Sequence, residues 1–151
     1  MWKEKLKEIA REENLYGEQI NSGISEIELK RIEVKVKSEL NVEFPTEYAK
    51  ILQVVNGIEF NGFIIYGVDS DLTDSQPNQN INGLIENNKI WYENEWQKRY
   101  FFLGESNISW YVYDLTSHKY IELDNPSGNR VEIFDNIETM VEKILTDALE
   151  N

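Results

Sequence analysis

The spacing of apolar residues changes along this chain from that of helices to that of strands and back, and this change most constrains the fold. Residues 2–13 and the segment that follows Ser25 repeat their apolar side chains at helical spacing. Residues 100–134 instead hold four short apolar and aromatic runs, and polar turns this short join only antiparallel neighbours. Helical spacing returns at residues 137–148. The sequence therefore predicts an α+β fold in which N-terminal helices precede an antiparallel meandering sheet and a C-terminal helix.

Short motifs predict where three helices begin. Ser25 with Glu28, and Asp135 with Glu138, have the spacing of a capping box, in which two side chains bond the backbone N–H groups at a helix start. Pro45 is expected in the first turn of another helix, because the N–H that proline lacks has no helical partner there.

Two Asn-Gly pairs predict reversals of the chain. Asn56-Gly57 is expected to end the helix that follows Pro45, in a left-handed conformation. Asn61-Gly62 lies between two apolar runs and predicts a β-hairpin. The polar segment 69–80 then leads into a further predicted helix at residues 81–91.

Length and composition exclude several classes of protein. The 151 residues fit one domain, in which residues 1–24 are expected to form a helix and a loop that precede the core. The absence of cysteine excludes thiol nucleophiles and disulfides, and a single histidine excludes multi-histidine zinc sites. No apolar run approaches the roughly 20 residues that span a bilayer, and the first residues do not form a secretory signal. We expect a cytoplasmic protein.

The net charge of −13 is distributed unevenly. Residues 1–50 hold 9 basic and 11 acidic residues, whereas residues 51–151 hold 6 basic and 17 acidic residues. Such a surface repels nucleic-acid phosphates and anionic membranes and attracts a basic protein. The alternative is that the excess acid only keeps the chain soluble.

Arrangements of residues that are typical of catalysis are nearly missing from the sequence. A Ser–His–acid triad would have to use His118, which lies in a predicted turn that holds a base poorly. Asp69, Asp71 and Asp74 lack the glycine and glutamate of a calcium loop, and no glycine-rich phosphate loop occurs. A pair of hydrolytic carboxylates stays open, because their separation in space decides that chemistry. We expect no enzymatic activity, no cofactor and no metal.

Aromatic and acidic residues instead predict a protein-binding surface. The aromatic run at residues 110–113 is expected to form a central strand covered on both faces. The alternative is that one face of this strand is a partner surface, since Tyr and Trp side chains ringed by acids are typical of hot spots for a basic partner. The polar loop at residues 69–80 is either solvated or an acidic contact for such a partner. The residues expected to contact the partner are Asp69, Asp71, Asp74, Glu93, Glu95 and Trp96.

The chain contains a series of short motifs, which are Ile32-Glu33, Phe44-Pro45-Thr46-Glu47-Tyr48, Leu52, Asn56-Gly57, Ile65-Tyr66-Gly67, Phe102-Leu103-Gly104-Glu105-Ser106 and Trp110-Tyr111-Val112-Tyr113-Asp114. These motifs resemble the SUKH superfamily, and the resemblance covers about residues 25–150. The resemblance implies an α+β domain without enzymatic activity. Members of the family that bind a toxin do so with a face that varies with the toxin, so these motifs do not mark that face. Phe44 replaces the leucine that is usual in the family pattern.

The resemblance implies two functions. Many bacterial members are immunity proteins that bind and neutralise a cognate toxin, often a nuclease, and the acidic balance here favours a basic toxin domain. Other members act in regulation through protein–protein interaction, so a regulatory module without a toxin partner is the alternative. A carboxylate hydrolase remains a third hypothesis, and the oligomeric state stays open.

Overall fold

The computed structural model describes residues 1–151 and contains five helices and six strands. Short 3₁₀ helices at Ser70–Leu72 and Glu95–Arg99 flank α4 in the sequence. This order confirms the predicted α+β fold. The helices are α1 (Trp2–Leu15), α2 (Glu26–Leu40), α3 (Thr46–Leu52), α4 (Leu84–Trp91) and α5 (Ile137–Glu150). The strands are β1 (Ile58–Phe60), β2 (Phe63–Ile65), β3 (Tyr100–Glu105), β4 (Ser109–Asp114), β5 (Tyr120–Asp124) and β6 (Arg130–Phe134).

All six strands form one antiparallel sheet in the order β1 to β6. The predicted hairpin is confirmed, since Asn61 and Gly62 join β1 to β2 with φ angles of 51° and 84°. The hairpin also extends the meander, because β2 pairs with the end of β3 at Gly104 and Glu105. The sheet therefore places β1 and β6 at its two edges.

The strand β4 is buried on both faces of the sheet, as its sequence predicts. Trp110 points to one face and is 5 % exposed, while Tyr111 points to the other and is 1 % exposed. The side chain of Trp91 from α4 packs 5.5 Å from Trp110, measured between ring centroids. On the opposite face, Lys143 of α5 contacts Glu122, the cross-strand neighbour of Tyr111. Helices therefore cover both sides of the sheet.

The first helix contributes to the same apolar core. Trp2, Leu6 and Ile9 recur on one side of α1 and are all buried. The helix packs against α5, and the amino group of Met1 lies 2.6 Å from a carboxylate oxygen of Glu142. None of the five helices is both long and apolar enough to cross a lipid bilayer.

The predicted helix starts are correct at α2 and displaced at α3 and α5. At α2 the side chain of Ser25 accepts from the Glu28 N–H, and the Glu28 side chain accepts from the Ser25 N–H, which is the predicted capping box. The capping box predicted at Asp135 is wrong, because Asn136 caps α5 and its side chain accepts from the Thr139 N–H at 2.8 Å. Pro45 lies immediately before α3 rather than in its first turn.

The prediction that Asn56-Gly57 ends the third helix is also wrong. The helix α3 already ends at Leu52, and the pair lies in the turn that leads into β1. Gly57 does adopt the expected left-handed backbone, with φ +75°. A side chain there would collide with the neighbouring loop, since an added Cβ would lie 2.8 Å from the backbone nitrogen of Gly67. The glycine therefore permits a close approach of two backbones rather than a helix cap.

Candidate partner-binding surface

The helix α4 is fixed against the sheet by one buried amide. The side chain of Asn88 donates to the Phe102 carbonyl at 3.0 Å and accepts from the Phe102 N–H at 2.7 Å. Within β3, only Gly104 and Glu105 pair with β2, so Asn88 satisfies the backbone of β3 at Phe102, which β2 does not reach. Trp91 adds a ring contact 5.8 Å from that of Phe102. These contacts hold the opposite side of α4 toward solvent.

Asp69 is committed to the start of this helix. Its carboxylate accepts from the N–H groups of Ile85 at 2.9 Å and Glu86 at 3.0 Å. The residue at the N-cap position is Gly83, which has no side chain to cap the helix, so an acid distant in sequence does so. Burial raises the pKa of Asp69, and the two backbone N–H groups act against that rise. The structure thus gives Asp69 a capping role that the sequence did not reveal.

The two other aspartates of this loop are exposed and differ in their partners. Asp71 forms no ion pair with any residue of the chain, whereas Asp74 lies 2.7 Å from the guanidinium of Arg31 on α2. The backbone N–H of Asp74 also donates to Glu28 at 2.9 Å. Asp71 is therefore the exposed aspartate of this loop that has no ion-pair partner.

The solvent-facing side of α4 lies between the two groups of residues that the sequence predicts as partner contacts. One group is the loop aspartates that precede the helix, and the other is Glu93, Glu95 and Trp96, which follow it. Glu86, Ile90 and Glu93 are spaced by four and three residues, so they lie along one side of the helix and its following turn. All three are exposed, and the Ile90 side chain is 49 % exposed. A helix of eight residues is about 12 Å long. Asp71 lies near its start, and Trp96 follows its end.

Trp96 is half exposed, and one side of its ring packs against the protein. Its ring lies 6.0 Å from that of Trp110, and it packs over Gly128, where an added Cβ would meet the ring at 2.7 Å. The side chain remains 46 % exposed. The adjacent Glu95 is also exposed but lies 2.9 Å from Lys98, which offsets its charge.

We refer to Asp71, Glu86, Ile90, Glu93 and Trp96 as the α4 surface. Asp71, Glu93 and Trp96 come from the sequence prediction, while Glu86 and Ile90 were missed. Their spacing relative to Glu93 is helical, and that signal was present in the sequence. Asp69, Asp74 and Glu95 lie beside this surface, and their carboxylates already bond to groups of the chain itself.

A polar groove of about 390 Å³ runs beside the α4 surface, between α2, α4 and the loop at residues 67–83. Two lysines enter it, Lys35 from α2 and Lys89 from α4, and both contact the carboxylate of Glu39. Hydrogen bonds from Lys35 and Lys89 lower the pKa of Glu39 to about 2. Glu39 thus engages both lysines, and neither forms an ion pair with Asp71 or Glu86, although the pKa of Lys35 is raised by Glu39 and, to a smaller extent, by the charge of Asp71.

In residues 51–151, most basic side chains form ion pairs and most acidic side chains do not. Five of the six basic residues are in ion pairs, and Lys119 is the exception. Of the seventeen acidic residues, six are in ion pairs and eleven are not. The acidic excess is therefore concentrated in side chains without a cationic partner, and the α4 surface holds three of them.

The remaining polar clusters bond within the fold. Glu122 is 4 % exposed, accepts from the Ser109 hydroxyl at 2.6 Å and lies 3.1 Å from Lys143. Asp114 is fully buried and holds Arg99 at 3.1 Å and Arg130 at 3.7 Å.

His118 lies in the exposed turn predicted for it, with φ 61°. Its ring nitrogen Nδ1 lies 3.0 Å from the Tyr113 hydroxyl. No group of three or more acidic or histidine side chains has the arrangement of a metal site.

One comparison with known proteins gives a match. The model of the SUKH_6 family, described as SMI1-KNR4 cell-wall, matches residues 30–141, about three quarters of the chain. The matched range includes α4 and all six strands and leaves out α1. No curated protein matches the chain.

Proposed function

We propose that this chain, which belongs to the SUKH_6 family, is an immunity-type protein that binds a basic toxin domain and neutralises it by covering it. The observation that carries the proposal is the composition of the α4 surface. Three carboxylates without a cationic partner, Asp71, Glu86 and Glu93, accompany two half-exposed apolar side chains on one helix and its flanks. Family membership is compatible with this function and with a regulatory one.

The two kinds of side chain would divide the work of binding. Ile90 and Trp96 would supply most of the affinity, because apolar and aromatic anchors buried at the centre of an interface dominate its energy. Trp96 is well suited to this role since its packing on Trp110 and Gly128 already fixes the ring. The three carboxylates would raise the rate of encounter with a basic surface.

The basic partner we propose is a nuclease domain acting in the cytoplasm. Enzymes that bind nucleic acid carry lysine- and arginine-rich surfaces that neutralise phosphates. An acidic protein that covers such a surface competes directly with the substrate. The chain itself would act by occlusion and catalyse no reaction.

The test uses the protein encoded by the gene next to that of this chain. We expect it to bind the wild-type chain and to lose its toxicity when the two are co-expressed. Ile90→Ser and Trp96→Ala should each weaken binding at least ~10-fold, as expected for hot-spot residues. Thermal unfolding of each variant separates lost binding from lost folding.

Val34→Ser is the matched control, because Val34 is an exposed apolar residue of α2 outside the α4 surface, with 67 % exposure. We expect this variant to bind within ~2-fold of the wild type, as surface residues outside an interface do. Equal loss of binding in Val34→Ser and Ile90→Ser would contradict the proposed surface. Failure of the wild-type chain to bind the adjacent gene product would contradict the proposed function.

A further inference from the structure

A second exposed apolar feature lies at the C-terminal end of α1. Leu15 and Tyr16 are 77 % and 81 % exposed, the highest values among the large apolar side chains apart from Met1. The other apolar residues of this helix, Trp2, Leu6 and Ile9, are buried in the core. We call Leu15 and Tyr16 the α1 tip.

The α1 tip is held in place rather than loose. The N–H of Gly17 donates to the Asn14 carbonyl at 3.1 Å, and the N–H of Glu18 donates to the Glu13 carbonyl at 3.0 Å. With Gly17 at φ +77°, these bonds form the Schellman motif that closes a helix end. A fixed apolar pair loses little conformational entropy when a partner covers it.

The α1 tip is close in sequence to Asn21, a residue of the groove beside the α4 surface. Asn21 lines that groove, and its side chain donates to the backbone carbonyls of Asn56 and Gln79 at 2.9 Å and 3.0 Å. Asn21 lies five positions after Tyr16, so the two Cα atoms are at most ~18 Å apart. The tip therefore lies within that distance of one wall of the groove, which is less than the width of a standard interface.

The charges around the tip identify the class of partner. Glu12, Glu13 and Glu18 flank it, against one basic neighbour, Arg11. A second copy of this acidic chain would bring like charges together at this point, whereas a basic protein would find complementary charge.

The exposed apolar pair of α2, Ile27 and Val34, has both acidic neighbours (Glu26, Glu28 and Glu33) and basic ones. Ile27 and Val34 on α2 enclose Lys30 and Arg31 in the sequence. The charge that flanks this pair is therefore nearly balanced, whereas the charge that flanks the α1 tip is acidic.

We infer that the α1 tip is a second anchor for the same basic partner and helps to determine which partner is bound. This inference rests on the proposed function. The matched family range begins at residue 30, so the tip belongs to a part of the chain outside it. The partner surface that fits the tip is an apolar depression bordered by lysine or arginine side chains.

The experiment measures binding of the adjacent gene product to the full chain by surface plasmon resonance. In the test variant, Leu15→Ser is combined with Tyr16→Ser. In the control, Ile27→Ser is combined with Val34→Ser, which removes a comparably exposed pair, at 64 % and 67 % exposure. We expect the tip variant to dissociate at least ~10-fold faster and the control within ~2-fold of the wild type. Both variants should unfold at the wild-type temperature, because the replaced side chains are exposed.

Three outcomes would overturn the inference. An unchanged dissociation rate in the tip variant, with binding still lost in Ile90→Ser, would overturn the tip and leave the proposed function standing. A wild-type dimer in analytical ultracentrifugation that the tip variant abolishes would assign the tip to a second copy. Absence of any binding by the wild-type chain would overturn both.

Discussion

Carboxylates have opposite surroundings in two regions of this molecule. Beneath α5, the carboxylate of Glu122 lies 3.1 Å from Lys143 and accepts from the Ser109 hydroxyl. On the α4 surface, Glu86 and Glu93 are exposed and have no cationic partner. Carboxylates thus have two roles, since Glu122 in its ion pair links α5 to the sheet while the unpaired carboxylates give the α4 surface a negative electrostatic potential. Substitutions in the two regions should therefore separate stability from binding.

The largest effect should follow from removing the lysine that balances Glu122. Lys143→Met leaves a carboxylate whose side chain is 6 % exposed without its cation, and breaking such a pair costs about 3 kcal/mol of unfolding free energy. Urea unfolding at neutral pH measures it. Lys98→Met is the control, because its pair with Glu95 is exposed and should contribute less than about 1 kcal/mol. Equal losses in the two variants would remove the distinction between buried and exposed pairs.

A smaller, pH-dependent effect is expected at Asp114. Burial acts to raise the pKa of Asp114, but hydrogen bonds from the Thr116 N–H and from Arg99 outweigh it, so the pKa lies below its usual value. A carboxyl whose pKa is lowered by folding stabilises the native state above the unfolded pKa, near 4, and loses that contribution as the pH falls further. Asp114→Asn should cost about 2 kcal/mol at pH 7, and its stability should approach that of the wild type below about pH 4. If the difference in unfolding free energy between Asp114→Asn and the wild type did not change between about pH 2 and pH 7, the lowered pKa of Asp114 would be refuted.

Two aspartates of one loop offer a closer comparison. Asp69→Ala removes the cap of α4 and should lower the unfolding free energy by about 1 kcal/mol. Asp71→Ala removes an exposed charge and should change it by no more than about 0.5 kcal/mol. Thermal unfolding of both variants decides the matter, and a larger loss in Asp71→Ala would reverse the assigned roles.

The extent to which the sequence predicts this structure depends on how local each signal is. The capping box at Ser25 and the hairpin at Asn61-Gly62 involve neighbours in the chain, and both predictions are correct. The cap of α5 was misplaced by one residue because Asp135 and Asn136 are both good capping residues. Local patterns therefore located the elements well and their ends less well.

The candidate partner-binding surface was harder to predict because its parts meet only through the fold. Sequence reasoning grouped Asp69 with Asp71 and Asp74 as equals, yet Asp69 caps a helix that begins fifteen residues later. The contact of Asp74 with Arg31 spans 43 positions and has no local signature. Which acids remain unpaired is decided by such contacts, so the sequence supplied candidates and the structure divided them.

The most direct test of the central claim is the association rate constant measured by stopped flow across salt concentrations. The probe is the adjacent gene product, and the variant combines Asp71→Asn, Glu86→Gln and Glu93→Gln, which keeps the side-chain shapes. The account predicts that the wild-type rate falls steeply as salt rises, and that the variant associates ~10-fold more slowly at low salt with a shallower dependence. Equal rates and equal salt dependence for the two proteins would contradict it.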